Sequence, residues 1–266
     1  MTPAGATSSQ GAGEGTPDPI RLERISKRFG PVVALRDVNM TLQQGEVLGL
    51  IGDNGAGKST LIKVITGFHQ PDSGTITIDG ADVRLGSVSH ARSLGIETVY
   101  QDLALIPGLS VYHNMFLKRE RLLHPFPFLR NGEMKRQARA HLEDMGVVIP
   151  SVETEVAKLS GGQRQAIAIA RAVYSQARIL LLDEPLAAMG AKEGTQVLDL
   201  IRNLKQKGEV SIIMIAHNYA QVLEVADRIN LLRHGTIFFD KRASDTSVEE
   251  LTEVVVEEYR RSRQTA

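Results

Sequence analysis

Cysteine is absent from the 266 residues, which excludes disulfides and thiolate chemistry and is compatible with a reducing cytosol. Neither sign of charge is in surplus, because Lys+Arg and Asp+Glu are both 31. That balance makes no demand for nucleic acid or an anionic membrane, and no basic stripe stands out. No apolar run approaches the ~20 residues needed to span a bilayer. The N-terminus lacks the charged and apolar regions of a secretory signal. Any membrane connection is therefore expected to come through a partner. Internal repeats and a long coiled-coil insert are also missing. What remains is an ordinary globular composition, 42% hydrophobic and 23% charged, sufficient for one large or two small domains.

The most informative stretch is Gly52-Asp53-Asn54-Gly55-Ala56-Gly57-Lys58-Ser59-Thr60, which fits G-x-x-x-x-G-K-[ST] at every fixed position. The apolar run Val47-Leu48-Gly49-Leu50-Ile51 before it reads as a strand, and Leu61-Ile62-Lys63-Val64-Ile65 after it as a helix start. A glycine-rich turn in that setting lets backbone N–H groups converge on one anion. The Lys58 ammonium can reach the β- and γ-phosphates of a nucleotide, and the Ser59 hydroxyl can bind Mg²⁺. No Asn-Lys-x-Asp segment is present to read guanine.

Along the chain, residues 1–19 are rich in Gly, Ser, Thr, Pro and Ala and are expected to be a disordered tail. Strands are expected at 20–25, 32–35, 38–42, 75–80 and 96–100, with a turn at Phe29-Gly30-Pro31. Phe29 could stack on an adenine base or be plain core, and its position leaves both open. From about residue 103 the pattern turns helical and is broken by Pro107, Pro125, Pro127 and Pro150, as in a helical insertion. A helix follows Leu159-Ser160-Gly161-Gly162-Gln163, and continuous apolar runs at 179–183 and 210–216 read as central parallel strands. Helices are expected around 196–206 and at 222–226, and a closing hairpin spans 228–239. Ser247-Val248-Glu249-Glu250 fits a capping box that opens a C-terminal helix.

Four apolar strands end in polar residues: the phosphate loop, Tyr100-Gln101, Leu182-Asp183-Glu184 and Ala216-His217. Ligands of parallel sheets bind beyond such ends, so one shared site is expected. Asp183 suits a partner of Ser59 for Mg²⁺, since a phosphate-bound Mg²⁺ keeps waters and uses few carboxylates. Glu184 can polarise an attacking water. Gln101 can hold a metal-bound water or the nucleophile, and His217 can hydrogen-bond the γ-phosphate. Ser160, Gly161 and Gly162 at a helix N-terminus form a second potential anion site. One phosphate loop needs only one such cradle, so the second raises the idea of two subunits sharing nucleotide.

Leu159-Ser160-Gly161-Gly162-Gln163, lying between the Lys58 loop and Asp183-Glu184, resembles the signature of ATP-binding cassette (ABC) ATPases. The resemblance covers about 20–239. It implies an α/β fold: a P-loop NTPase (RecA-like) core with an N-terminal antiparallel β subdomain and an inserted α-helical subdomain. It implies a domain at 20–245, an insert at about 103–165 and a C-terminal helix at 246–266. It assigns residues 52–60, Ser160, Gly161, Gly162 and Gln163 to ATP, Phe29 to adenine stacking and Gln101 to sensing a transporter. Ser160 and Gly162 would contact the γ-phosphate held by a second subunit, Glu184 would activate water, and His217 would be the switch.

Gly52-Asp53-Asn54, Tyr100-Gln101-Asp102-Leu103 and the stretch from Leu109 to Leu117 look like the ATPases of bacterial simple-sugar importers. That branch implies ATP and Mg²⁺ as cofactors, a homodimer of cassettes, a transmembrane permease, an indirect periplasmic sugar-binding protein and no nucleic acid. It implies a peripheral position on the cytoplasmic face of the bacterial inner membrane. An ABC regulatory or assembly module without a permease, and an exporter ATPase, are the other readings. Two departures stand out: Leu186 where the family has Thr, and Ala187-Ala188-Met189-Gly190 for Ser-Ala-Leu-Asp, which alters the coupling loop and leaves Glu184 in place.

Overall fold

The computed structural model describes residues 17–264 apart from His124 and Ala188, without the side chains of Tyr259 and residues 261–264. The tail expected over 1–19 therefore lies, up to residue 16, outside the described residues. In chain order, β1 (Ile20–Phe29) and β2 (Val32–Leu42) precede β3 (Val47–Ile51), which feeds the phosphate loop and α1 (Lys58–Ile65). There follow β4 (Ser73–Ile78), β5 (Ala81–Asp82), α2 (Val88–Ser93) and β6 (Ile96–Val99). Then come α3 (Val111–Met115), the short pair β7 (Leu122–Leu123) and β8 (Phe128–Leu129), and α4 (Asn131–Asp144). The rest is α5 (Gly161–Tyr174), β9 (Ile179–Asp183), α6 (Ala191–Lys207), β10 (Ser211–Ala216), α7 (Tyr219–Leu223), β11 (Arg228–Arg233), β12 (Thr236–Arg242) and α8 (Val248–Gln264).

Two sheets organise these elements. The larger has the order β12-β11-β3-β10-β9-β6, with β12 antiparallel and the others parallel. The smaller, β2-β1-β4-β5, is antiparallel. The continuous apolar runs at β9 and β10 follow from burial on both faces. Ile179 and Leu181 of β9, with Ile213 and Ile215 of β10, join a core under α1 and the antiparallel sheet. Leu180, Leu182, Ile212 and Met214 join the opposite core under α5 and α6. The segment between β6 and α5 lies outside both sheets, and Met134, Ala138 and Leu142 of α4 seal it to the second core.

Several expected elements are longer than their sequence signals. The expected strands at 32–35 and 38–42 are one strand, because pairing to β1 carries the chain through an irregularity where Asp37 takes φ 45°. Helix α6 begins at Ala191 rather than near 196, since Gly194 and Val197 are already buried in its first turns. The helix expected at 222–226 occupies Tyr219–Leu223 instead, where the Asn218 side chain caps it by accepting from Gln221 N. Helix α2 and the β7–β8 pair carry too weak a periodic pattern to show in the sequence.

A buried charge pair ties the larger sheet to β2. Glu46, 7% exposed, accepts from the Arg228 Nε at 2.8 Å and from the backbone N–H of Gln43. Arg228 also reaches Asp240 at 2.9 Å and donates to the Thr41 carbonyl. Removing Arg228 leaves the Glu46 carboxylate buried without its partner, which costs far more than the pair contributes. Arg228→Met is expected to lower unfolding stability by about 3 kcal/mol at neutral pH, read as a shift of the urea midpoint.

Candidate functional site

The parallel register brings the four polar strand ends to one edge. Ala216 of β10 lies level with Ile51 of β3, and Ile215 level with Asp183 of β9. Val99 of β6 lies level with Leu182. The chain therefore leaves β3 as the loop at Gly52, β10 as His217, β9 as Glu184 and β6 as Tyr100-Gln101, all on the same side of the sheet.

The loop 52–60 has the form of an anion cradle. Gly57 sits at φ 112°, and a Cβ there would lie 2.7 Å from the Ala34 carbonyl oxygen, so only glycine lets β2 pass this close. A Cβ on Gly52 would overlap the Leu232 carbonyl of β11. No side chain caps α1, in contrast to α5 and α7, so its first N–H groups stay open to a ligand. The loop is braced from outside, because Gly235 N donates to the Ala56 carbonyl at 2.9 Å and Arg36 N to the Gly235 carbonyl at 2.8 Å. That brace between the β11–β12 turn and the loop was not visible in the sequence, where His234-Gly235 signals only a hairpin turn.

Lys58, 8% exposed, points into the mouth of this loop and donates to the carbonyls of Gly52 and Asp53, the second at 3.0 Å. Burial lowers its pKa, against the opposing charges of Glu184, Asp53 and Asp183. Burial also pushes the Asp183 carboxyl above its ordinary range; the charge of Glu184 adds to that and Lys58 pulls it partly back. A buried ammonium held by two carbonyls, beside uncapped N–H groups, suits a multiply charged phosphate chain.

Glu184 has φ 49°, a left-handed backbone rare for a side-chain-bearing residue, stabilised by its N–H donating to the Ile215 carbonyl at 2.9 Å. Its carboxylate lies 3.4 Å from His217 Nδ1. Glu184 and His217 are thus brought together across β9 and β10, with Glu184 within electrostatic reach of Lys58. Among the described residues no group of three or more His, Cys, Asp or Glu could hold a metal. The two donors expected for Mg²⁺ are the Ser59 hydroxyl at the start of α1 and the Asp183 carboxylate at the end of β9. That sparse set fits an ion completed by phosphate oxygens and water.

Gln101 is exposed at the tip of β6. Behind it, Arg171 of α5 donates to the carbonyls of Leu103 and Ala104, both at 2.8 Å, so this strand end is hinged to α5. Phe29 is 43% exposed, which excludes the core alternative. Its ring meets His69 edge-on at 5.1 Å, and Lys27 Nζ lies 5.6 Å from its centre.

The Ser160 segment stands apart from this edge. Ser160 Oγ accepts from Gln163 N and Ser160 N donates to Gln163 Oε1 at 3.1 Å, a reciprocal cap. Gln163 Nε2 donates to the Val148 carbonyl, and Gly162 packs on Glu193 of α6 closely enough that a Cβ would lie 3.0 Å from the Glu193 Cβ. None of these partners belongs to the loop 52–60.

The raised pKa of Asp183 has a consequence for stability. A carboxylate whose folded pKa lies above its unfolded value costs nothing below the unfolded value and costs stability as pH rises through the folded one. Asp183→Asn is expected to raise the thermal midpoint of the nucleotide-free protein at pH 7. The gain should vanish as pH falls through the ordinary carboxylate range near ~4. Paired melting curves at the two pH values check it, and equal midpoints at pH 7 would refute it.

Comparison with known proteins agrees with this geometry. The family profile described as ABC transporter matches residues 35–187. The xylose/arabinose import ATP-binding protein XylG of Sulfolobus acidocaldarius is 49% identical over 238 residues, 90% of this chain and 94% of that protein. The fructose import ATP-binding protein FrcA of Rhizobium meliloti is 45% identical over 226 residues, 82% of this chain and 86% of that one. The ribose import ATP-binding protein RbsA of Bacillus licheniformis is 40% identical over 89% of this chain, which spans 48% of that protein. Among solved structures, the ADP conformation of the ATP-binding cassette MJ1267 matches with TM-score 0.75 and 26% identity, over 91% of this chain and 96% of that one. With the profile spanning more than half its length and close relatives matching nearly end to end, the chain belongs to the ABC transporter family as one of its ATP-binding cassettes.

Proposed function

We propose that the chain hydrolyses ATP at the cytoplasmic face of a bacterial inner membrane to drive a simple sugar inward through a permease subunit. The observation that carries the chemistry is the Glu184–His217 contact of 3.4 Å at the same sheet edge as the Lys58 loop. The sugar class rests on the relatives, whose names give xylose/arabinose, fructose and ribose import. Among the described residues no helix is long and apolar enough to cross a membrane, so the path for the sugar falls to another subunit. A periplasmic sugar-binding protein would then deliver the sugar to that permease. The cassette proper would span 20–245, with a helical subdomain at about 103–165 and a C-terminal helix at 246–266.

In this reading residues 52–60 wrap the phosphates and Lys58 turns from the Gly52 and Asp53 carbonyls to the β- and γ-phosphates. Phe29 offers its open face to the adenine. Ser59 and Asp183 would hold Mg²⁺, assisted by Gln101 through water; when bound, the ion offsets phosphate charge. Glu184 accepts a hydrogen bond from the attacking water, and His217 orients the Glu184 carboxylate and the γ-phosphate oxygens. Ser160, Gly161, Gly162 and Gln163, whose partners in this chain lie away from the loop, would complete the site of a second cassette in a head-to-tail pair.

Glu184→Gln keeps the shape and removes the charge that polarises water. ATP binding, measured by titration, is expected to persist, while turnover falls by about 10²–10⁴-fold. Turnover near that of the unmodified chain would remove Glu184 from the chemistry. Co-purification with a polytopic membrane protein tests the transport assignment, which its absence on repeated isolation from membranes would undo.

A further inference from the structure

The β7–β8 pair is not used by the nucleotide site. It gathers five exposed apolar side chains, Leu122, Leu123, Phe126, Phe128 and Leu129, between 40% and 65% exposed. The rings of Phe126 and Phe128 lie 6.2 Å apart. The pair is joined internally, Leu122 opposite Leu129 and Leu123 opposite Phe128, with Arg130 N donating to the Arg121 carbonyl at 2.8 Å. It adds to neither of the two larger sheets. Scattered apolar side chains on a surface need no explanation, but five on one hairpin do.

Its surroundings are strongly basic. Residues 118–139 contain seven Lys or Arg and two Asp or Glu, within a chain whose formal net charge is zero. Both acids are engaged: Glu133 meets Arg130 at 3.3 Å and Gln137 at 3.2 Å, and Glu120 accepts from Lys118 N. Lys118, Arg119 and Arg121 enter the hairpin and Arg130 leaves it, so cations flank the apolar tip on both sides. Arg119 also reaches Glu97 of β6 at 3.7 Å, which roots the hairpin on the strand that ends at Gln101.

We propose that this hairpin seats directly on an anionic bilayer surface. Its aromatic and leucine side chains would enter the boundary between headgroups and acyl chains, with Lys118, Arg121 and Arg130 against lipid phosphates. The pattern selects this occupant over two others. A nucleic acid would leave five apolar side chains without partners, and an apolar protein surface would give no counter-charge to Lys118 and Arg121, whereas Arg119 and Arg130 already meet Glu97 and Glu133. A headgroup layer supplies both. The overall charge balance conceals this local excess, and in this reading a lipid contact would stand beside the contact expected through a partner.

Co-sedimentation of the full chain with vesicles is the test, using phosphatidylcholine alone and phosphatidylcholine mixed with phosphatidylglycerol. Binding to the mixed vesicles is expected to exceed binding to the neutral ones by about tenfold and to weaken as salt is raised. Phe126→Ser with Phe128→Ser, and separately Lys118→Glu with Arg121→Glu, should each reduce binding by about tenfold. All four side chains lie on the surface, so melting curves should stay unchanged, and ATP hydrolysis should be retained. Equal binding to the two vesicle types, or full binding by both variants, overturns the proposal. So does a result in which the variants lose self-association or permease co-purification while the unmodified chain never sediments with lipid. The assay contains no permease and no nucleotide, so its failure would leave the transport reading standing.

Discussion

The arrangement depends on keeping one ammonium, that of Lys58, in a half-dry cleft without neutralising it. Burial disfavours its charge and lowers its pKa, and the charges of Glu184, Asp53 and Asp183 oppose that shift. Asp53 belongs to the loop itself, whereas Asp183 and Glu184 are far from Lys58 in sequence and reach it only through the fold. Asp183 and Glu184 arrive because β9 lies one strand beyond β10, in parallel register with β3. The apolar alternation that seals both faces of this sheet is therefore what fixes the distance between opposite charges at its edge. Asp183 stays above its ordinary pKa even with Lys58 nearby, so burial and the charge of Glu184 disfavour its ionised form, which a bound cation would favour.

The cradle itself is shaped by backbone approaching backbone. Gly57 gives room to the Ala34 carbonyl, and Gly52 to the Leu232 carbonyl. The Gly235 N–H then closes on the Ala56 carbonyl. Strands β2 and β11 thus press on the loop from two sides, and the loop has little freedom to collapse when nothing is bound. Such preorganisation keeps donors pointed at an anion without ordering them on each binding event.

Much of this was legible in the sequence, for identifiable reasons. The loop 52–60 follows a fixed spacing because its geometry tolerates few residues, and β9 and β10 are plain because burial on both faces demands continuous apolar runs. Phe29 was ambiguous, since an aromatic at a strand end looks alike whether it is covered or open; its 43% exposure decided that. The left-handed backbone of Glu184 and the Gly235 brace left no local signal, because each is imposed by a neighbour far along the chain. The basic hairpin escaped notice because a zero sum over the chain averages away a local excess.

The two departures near Glu184 acquire different meanings once placed. Leu186 is 7% exposed and belongs to the core beneath α5 and α6, so an apolar side chain there gains packing where a hydroxyl would need a partner. Gly190 is the residue before α6 and caps it with no side chain. An Asp at that position would accept from the first N–H groups of the helix; glycine forgoes that bond at a cost of only a few tenths of a kcal/mol. The coupling that remains is steric. The first turn of α6 carries Glu193, which packs against Gly161 and Gly162. In a head-to-tail pair, any displacement of the segment after Glu184 would move Glu193 and with it the helix start facing the other nucleotide. In the proposed head-to-tail pair a steric link between the two sites would run through packing of Glu193 on Gly161 and Gly162, and it would not require the charge that this chain lacks at Gly190.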